Sequence, residues 1–349
     1  MKDSNNFLPL TTEGKGSKKN KNRGKSFGYQ ILGFGSGESG PLPQFTCASG
    51  GSESTSGDYK IHSFTGPGTF SVDKVGNLPD FPGDPGAGPN TVSYLVIAGG
   101  GGGGGPSIGG GAGAGGFREG QDIAPSYTKA PQGATSGLTI TEQAYPITVG
   151  DGGVGSNPSP QDGTRGSDSV FSSITSAGGG SRNSLNENTG GSGAGGGHQG
   201  AGGAGNTPPT TPSQGNAGGS NGPGPVNTGQ FAGAGGGGIG AAGSTSSSGG
   251  YGAYSGAGGS GSATSITGSP VTYAGGGGGG SFNQPADPGG GGGSGGGGKG
   301  AGYSGPVSVA GTDGLGGGGG AGGTPAGPAA IQTGSAGGSG IVIIRYKYQ

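Results

Sequence analysis

The sequence predicts a mainly β or irregular fold without substantial α-helix, in which a small β-sheet domain closes a glycine-rich bundle of polyglycine-II helices. Of the 349 residues, 105 are Gly and 25 are Pro, and only 26% are hydrophobic. Average usage is about 12% Gly and Pro together, so a conventional apolar core cannot extend through the whole chain. No segment repeats apolar residues with a helical period, and the single Cys47 excludes an intramolecular disulfide scaffold.

Composition divides the chain into four regions. Residues 1–45 are a basic N-terminal tail followed by a docking segment that mixes aromatic residues with Gly and Pro. Residues 46–98 carry β-strand patterns, residues 99–340 are the glycine-rich region with its loop tips, and residues 341–349 are a final strand. The 16 basic and 17 acidic residues leave a net charge of −1, which favours neither nucleic acid nor an anionic membrane. No apolar run is long enough for membrane insertion.

Alternating and continuous apolar patterns predict the strands. Residues 59–64 and 69–72 alternate on either side of a Gly-Pro-Gly turn, which predicts a β-hairpin. Residues 94–98 are apolar on both faces, as is typical of a central strand, and residues 341–346 are equally apolar. We therefore expect these two strands to pair and to hold the entry and exit of the glycine-rich region together. Shorter strand-like pieces lie at 138–141, 145–149 and 169–174.

Two interpretations of the glycine-rich region follow from its composition. One is a disordered Gly/Ser linker, because ordering Gly loses more backbone entropy than ordering any other residue. The other is a bundle of polyglycine-II helices, which have three residues per turn and no internal hydrogen bonds, so that neighbouring helices must bond to each other. The Gly runs recur, turn residues separate them, and the region ends in a strand. These features favour the bundle, with loops clustered at its two ends and with no room for a Gly→Val change inside a run.

The sequence carries no catalytic constellation, so an enzyme, a cofactor and a metal site are not expected. His62 and His198 are the only histidines and Cys47 is the only thiol, which is too few to assemble a zinc site. Two Gly-x-Ser-x-Gly strings, at 105–109 and 292–296, are chance matches in so glycine-rich a chain. Neither is followed by the helix pattern that a nucleophile elbow requires.

Aromatic residues in the loops are the candidate functional surface. Tyrosine provides a large contact area with a polar end, and loops of Tyr, Ser, Gly and Asn are typical of adaptable binding surfaces. The alternative is that these rings pack onto the glycine bundle as filler. Residues 282–287 and 206–211 are predicted to be exposed loop tips. The candidate contact residues are Tyr251, Tyr254, Tyr273, Phe282, Asn283 and Tyr303.

Several segments resemble the glycine-rich structural proteins of tailed bacteriophages. These are residues 93–101 (Ser-Tyr-Leu-Val-Ile-Ala-Gly-Gly-Gly), 64–70 (Phe-Thr-Gly-Pro-Gly-Thr-Phe) and 338–346 (Gly-Ser-Gly-Ile-Val-Ile-Ile-Arg-Tyr). Residues 25–35 (Lys-Ser-Phe-Gly-Tyr-Gln-Ile-Leu-Gly-Phe-Gly) are similar to the N-terminal segment of such proteins in marine phages. The resemblance covers most of residues 25–349 and is strongest at the two junctions between strand and glycine run.

The resemblance implies a virion protein, a tail fibre or tail tip that is extracellular when assembled and that presents polyglycine-II loops to the host cell. Its partners would be other tail or fibre proteins and a bacterial surface receptor, either an outer-membrane protein or a polysaccharide. A homo-oligomer is also implied, and trimers are common among phage fibres. Two alternatives remain: a head-fibre or decoration protein without a specific receptor, and a secreted glycine-rich matrix protein. The candidate virion-docking residues are Phe27, Tyr29, Ile31, Leu32 and Phe34.

Overall fold

The structure is a computed structural model whose description covers twelve stretches of the chain. They are residues 45–76, 90–105, 109–122, 127–157, 162–182, 188–197, 200–221, 231–247, 254–282, 287–303, 307–324 and 332–349. Residues 44–349 form one compact unit and residues 1–43 another. The predicted docking residues Phe27, Tyr29, Ile31, Leu32 and Phe34 therefore lie outside the described residues, as does His198.

The described residues form fifteen short β-strands and no α-helix, which confirms the predicted fold class. The strands are β1 (Cys47–Ser49), β2 (Ser52–Ser56), β3 (Tyr59–Phe64), β4 (Gly68–Lys74), β5 (Thr91–Ile97), β6 (Phe117–Gly120), β7 (Leu138–Thr139), β8 (Ala144–Thr148), β9 (Ser169–Phe171), β10 (Ile174–Ser176), β11 (Phe231–Ala232), β12 (Ser262–Thr264), β13 (Val271–Tyr273), β14 (Ser281–Phe282) and β15 (Ile341–Lys347).

Two antiparallel sheets make up the β domain. One has the order β1-β4-β8-β9-β10, and the other has the order β2-β3-β15-β5-β6, with β7 paired to the start of β5. As predicted, β15 pairs with β5, and Ile341 lies opposite Ile97. Both strands are apolar on both faces because each is covered on both sides. Strands β5 and β15, which precede and follow the glycine-rich region, therefore lie next to each other.

The two sheets share an aromatic core. Phe70 and Phe171 pack edge to face with ring centroids 6.1 Å apart, and Tyr145 lies 6.0 Å from Phe171. The facing sheet contributes Tyr346, whose ring lies 6.2 Å from that of Phe70. His62 is buried in the same layer, where Nδ1 lies 2.7 Å from the carbonyl oxygen of Gly50 and Nε2 lies 3.0 Å from the Tyr346 hydroxyl. Burial lowers the pKa of His62.

The predicted hairpin between residues 59–64 and 69–72 is wrong. Strand β3 pairs with β2 and β15, whereas β4 pairs with β1 and β8, so the two strands lie in different sheets. The short link at residues 65–67 carries the chain from one sheet to the other. Phe64 and Phe70 then enter the shared core from opposite sheets. This burial of both rings is the physical reason for the crossing, because a hairpin in one sheet would not enclose them between two layers.

The glycine runs bond to one another with a three-residue period, which run 109–116 illustrates. The N–H groups of residues 111, 112 and 113 donate to three different runs, and those of residues 114, 115 and 116 donate to the same three runs in the same order. The acceptors are the carbonyls of Ala234, Gly319 and Gly180, and then of Gly237, Gly316 and Ala177. The carbonyls of this run accept from three further runs, within residues 98–104, 192–195 and 277–280.

A three-residue period with six bonded neighbours is the arrangement expected of packed polyglycine-II helices. Runs 99–104, 233–239, 275–281 and 316–322 have the same six-neighbour pattern as run 109–116. The predicted bundle is therefore confirmed, and its backbone hydrogen bonds take the place of the apolar side chains of an ordinary core.

Close approach of the backbones explains why these positions are glycine. A Cβ atom on Gly113 would lie 2.1 Å from the carbonyl oxygen of Ser192, and one on Gly277 would lie 2.1 Å from that of Gly319. Real Cβ atoms essentially never approach within 3.0 Å of such an atom. Alanine is accommodated only at particular lattice positions, such as Ala112 and Ala234, both fully buried.

Candidate functional site

The hydrogen-bond registers give every glycine run a direction relative to the sheets. Run 99–104 leads away from β5, and run 109–116 leads back to β6 beside it, since the N–H of Gly101 donates to Gly113 and that of Gly104 to Gly110. We call the end of the bundle next to the sheets the sheet end and the opposite end the loop end. Run 150–156 is parallel to run 99–104, because the N–H of Ser156 donates to Gly103, so it also leads to the loop end.

The same reasoning locates the described residues that flank nine stretches of the sequence, which we call interruptions of the glycine runs. In each case the described residues on both sides of the interruption lie at the loop end. The interruptions are residues 106–108, 158–161, 183–187, 198–199, 222–230, 248–253, 283–286, 304–306 and 325–331. The runs between them turn around at the sheet end within described residues, for example at 239–243 and 312–316. The bundle therefore has two chemically different ends.

Hydrogen bonds close the bases of several loops at the loop end. Tyr254 and Ser247 flank one interruption: the N–H of Tyr254 donates to Ser247 Oγ at 2.7 Å, and the N–H of Ser247 donates to the Tyr254 carbonyl at 3.1 Å. Gly323 and Gln332 exchange two backbone bonds, of 3.1 and 3.0 Å, across another. Strands β11 and β14 pair at this end and join the flanks of two more interruptions. The lattice thus fixes both ends of these loops in space.

Asp287 connects the chain next to one predicted contact residue, Tyr254, with a second one, Tyr303. Tyr254 is 55% exposed, and its neighbour Ser255 donates to Asp287 Oδ2 through its N–H at 3.0 Å and its hydroxyl at 2.7 Å. The N–H of Tyr303 donates to the Asp287 carbonyl at 3.2 Å, and Tyr303 is half-buried. Asp287 itself is 2% exposed, so it anchors two loop bases and is not the exposed tip that the sequence predicts.

The remaining predicted contacts divide between the two ends. Phe282 belongs to β14 at the loop end, opposite Phe231 of β11. Tyr251 and Asn283 lie outside the described residues. Tyr273 is at the sheet end, and the prediction that it is a surface contact is wrong. It is 3% exposed in a cluster with residues of the six-stranded sheet, where burial and the nearby Glu119 raise its pKa to about 12.

A buried polar cluster lies at the sheet end, where the sequence predicts none. Glu119 is 3% exposed and accepts from Thr264 Oγ1 at 2.5 Å and from the N–H of Ala130 at 2.8 Å, and burial raises its pKa. Arg345 lies 4.6 Å from the centre of the Tyr59 ring and donates to the Ile266 carbonyl at 3.0 Å. These groups hold connecting segments onto the sheet, and both are closed to solvent. Arg345 could have been found from the sequence, because it is a charged residue within a central apolar strand.

The loop at 206–214 is also ordered, and it lies at the sheet end. Asn206 Oδ1 accepts from the N–H and Oγ1 of Thr210, both at 3.0 Å, and from the N–H of Gln214 at 3.2 Å. Gln214 is fully buried, and its Oε1 accepts from the N–H of Ala177 at 2.8 Å. Pro208, as predicted, is exposed.

Two other kinds of feature are absent from the part of the chain that the structure describes. No group of three or more His, Cys, Asp or Glu side chains there is arranged to hold a metal ion. Within the same residues, no helix is long and apolar enough to cross a bilayer.

Comparison with known families matches most of the chain. A family model described as a glycine-rich domain matches residues 79–347, from before β5 to the end of β15. The match therefore includes all the glycine runs and both strands that close them. No curated protein matches the chain.

Proposed function

The chain belongs to the glycine-rich domain family, and we propose that it is a bacteriophage tail-fibre or tail-tip protein that uses its loop end to attach to the host-cell surface. The observation that carries the proposal is that the described residues on both sides of nine interruptions lie at one end of the glycine lattice, and that several of these flanking residues are hydrogen-bonded to each other. A loop whose base is already fixed loses less conformational entropy on binding, so the lattice suits a surface that must bind through small polar side chains.

The opposite end suits attachment to a larger particle. Cys47, at the start of β1, pairs with Lys74 at the end of β4, whereas Gly68 at the other end of β4 pairs with Ile147, three residues before the glycine run that begins at Gly150. The start of β1 thus lies at the side of the sheets that faces away from the bundle. Strand β15 runs toward the same side, where the N–H of Tyr348 donates to the Asp58 carbonyl. We therefore place other tail or fibre proteins at the sheet side and the bacterial receptor at the loop end.

The chemistry of the loop end suits a receptor rich in hydrogen-bonding groups. Tyr254 offers an exposed ring with a hydroxyl, and serine, alanine and glycine surround it in the sequence. Flat aromatic rings and adaptable polar groups are the usual means of contacting sugars and protein loops. An outer-membrane protein and a surface polysaccharide are both compatible with this chemistry.

An adsorption competition tests the proposal. Host cells are incubated with the purified full-length chain and then with the phage whose genome encodes it, and unadsorbed phage are counted over time. We expect the protein to slow adsorption in a dose-dependent way, and Tyr254→Ser to weaken that effect without changing the melting temperature. Ser54→Ala, on the exposed edge strand β2, is the matched control and should behave as wild type. Unchanged adsorption at saturating wild-type protein would refute attachment and favour a decoration protein.

A further inference from the structure

An open position in the glycine lattice lies along helix 333–339. This helix bonds to four neighbouring runs and not to six: 99–104, 150–156, 307–314 and 316–320. The N–H of Ala336 and the carbonyls of Gly334 and Gly337 have no hydrogen-bond partner among the described residues. Ala336 is exposed, whereas Gly334 and Gly337 are buried, with their carbonyl oxygens against Gly155 and Gly152 of run 150–156. In the central runs the corresponding groups bond to a fifth and a sixth helix, so one side of helix 333–339 presents the lattice pattern without a neighbouring helix among the described residues.

The two flanking helices form the walls of a groove over this open side. Registers align residue 337 with residue 153 on one side and residue 336 with residue 311 on the other. The three-residue period then gives three parallel rows of side chains, one on each wall and one on the floor. The rows are Asp151, Val154 and Asn157 on one wall, Thr333, Ala336 and Ser339 on the floor, and Val307, Ala310 and Asp313 on the other wall.

The groove has one exposed valine on each wall and is acidic at its sheet end. Val154 and Val307 are 63% and 64% exposed. At the sheet end the groove deepens into a cleft of about 540 Å³ between Asp151 and Asp313, with Ser339 on its floor. Asp313 Oδ1 accepts from the N–H of Ser339 at 2.9 Å, which holds that carboxylate over the floor. The described residues that line the cleft include no basic residue.

We propose that this groove binds an extended polyproline-II segment of a partner protein, rich in Gly and Pro and carrying a basic residue at one end. The floor of the groove repeats every three residues, and this repeat selects the polyproline-II conformation of the bound segment. Only a segment with three residues per turn keeps its backbone in register with Gly334 and Gly337. Those two carbonyls require an N–H at every third residue, so the segment has Gly or another non-Pro residue at that spacing. Val154 and Val307 pack against the two sides of the segment, and the carboxylates of Asp151 and Asp313 bind its basic residue.

The length of the groove sets the length of the segment. Six residues, the separation of residues 333 and 339, span about 19 Å at the polyproline-II rise of 3.1 Å per residue. The partner therefore contributes roughly six residues to the groove, and the basic residue follows at the sheet end. This surface runs along the side of the bundle from the loop end to the sheet end and does not include Tyr254, so the inference does not depend on the proposed receptor function.

Peptide binding to the full-length chain tests the inference. The probe is a fluorescein-labelled peptide of three Pro-Pro-Gly repeats flanked by lysines, and its anisotropy is followed as the protein is added. One control peptide replaces every Gly with Pro, which keeps the conformation and removes the N–H donors. A second replaces both lysines with Glu. We expect the first peptide to bind with one-to-one stoichiometry and each control to bind more weakly.

Variants locate the binding site. Ala336→Leu fills the floor of the groove at an exposed position and should abolish binding, with an unchanged melting temperature showing that it folds. Asp151→Asn should weaken binding about two- to fivefold, the scale of one exposed ion pair, and reduce its salt dependence. Tyr254→Ser, at the loop end, should bind as wild type. No binding by wild type, or binding that survives Ala336→Leu, overturns the inference. So does self-association of the chain that Ala336→Leu reverses, since the occupant would then be a second copy.

Discussion

Adjacent glycines in one run should respond oppositely to alanine. A Cβ atom on Gly290 would lie 2.1 Å from the carbonyl oxygen of Gly256 and 2.8 Å from the nitrogen of Gly279. These two atoms are the acceptor and donor of one 2.9 Å hydrogen bond. Alanine at 290 therefore wedges into an existing bond of the lattice. Gly291, the next residue, is exposed and does not have a left-handed φ, and a Cβ atom there would meet nothing within 4 Å beyond its chain neighbours.

The size of the expected loss in unfolding free energy follows from the backbone groups that lose their hydrogen-bond partners. Ordinary contact begins near 3.4 Å, so the two runs must separate by more than about 1 Å at Gly290→Ala. A separation of that size breaks the bond between Gly279 and Gly256 and leaves a buried donor and a buried acceptor, each worth about 1–3 kcal/mol. We therefore expect Gly290→Ala to lower the free energy of unfolding by about 2–6 kcal/mol. Gly291→Ala should instead stabilise by about 0.4–1 kcal/mol, because it restricts only the unfolded chain.

Scanning calorimetry of the two variants distinguishes these outcomes. For a domain of this size, 1 kcal/mol shifts the melting temperature by roughly 2–4 °C. We expect Gly290→Ala to lower the melting temperature by about 10 °C and Gly291→Ala to leave it equal or slightly higher. Equal shifts in the two variants, or a shift below about 2 °C for Gly290→Ala, would refute the view that backbone packing of glycine forms the core.

Three further predictions concern the β domain and the ordered loop. Because burial lowers the pKa of His62, stability should fall as pH decreases below about 6.5. In melting curves between about pH 7.5 and 5, His62→Gln should flatten that fall, and an equal fall in both proteins would contradict this. Asn206→Ala should speed amide hydrogen exchange at residues 206–214, because it removes the acceptor of three hydrogen bonds there. The control variant Thr211→Ala should not, and equal exchange rates in the two variants would count against this role of Asn206. Phe171→Ala should lower the unfolding free energy in urea by about 3–5 kcal/mol, and a loss below about 1 kcal/mol would show that the sheets share no aromatic core.

The pairing of β5 with β15 and the glycine bundle were predictable because each has a strong local signal. Residues 94–98 and 341–346 are the most apolar segments of the chain, and a strand apolar on both faces must lie inside a sheet. Glycine runs in the polyglycine-II conformation have no internal hydrogen bonds, so once buried they can satisfy their backbone only by bonding to one another. Both arguments use elementary requirements of burial and hydrogen bonding, and the structure meets both.

The sheet crossing after β3 was not predictable from local pattern. A three-residue Gly-Pro-Gly link fits a hairpin as well as it fits a crossing between sheets. The decision depends on where Phe64 and Phe70 find partners, and those partners, Tyr145 and Phe171, lie far along the chain. Long-range packing of this kind leaves no mark on the alternation of either strand.

The receptor-contact role of the loop aromatics stays a prediction, and Tyr273 is the one candidate that the structure removes from the surface. Aromatic residues between glycine runs all look alike in sequence, but successive runs reverse direction, so the ends of each run lie at opposite ends of the bundle. Tyr254 and Tyr303 fall at the loop end and Tyr273 at the sheet end. Assigning each residue to an end requires the hydrogen-bond register of every run, which glycine repeats do not encode.

Amide hydrogen exchange of the full-length chain, read by mass spectrometry, tests the central claim most directly. If the glycine lattice is the core, peptides covering 109–116 and 275–281 should exchange at least about a thousandfold more slowly than an unstructured chain. Their protection should match that of β5 and β15, because all these segments are hydrogen-bonded on every side. Exchange of the two glycine runs at the rate of an unstructured chain, while β5 and β15 stay protected, would contradict the claim.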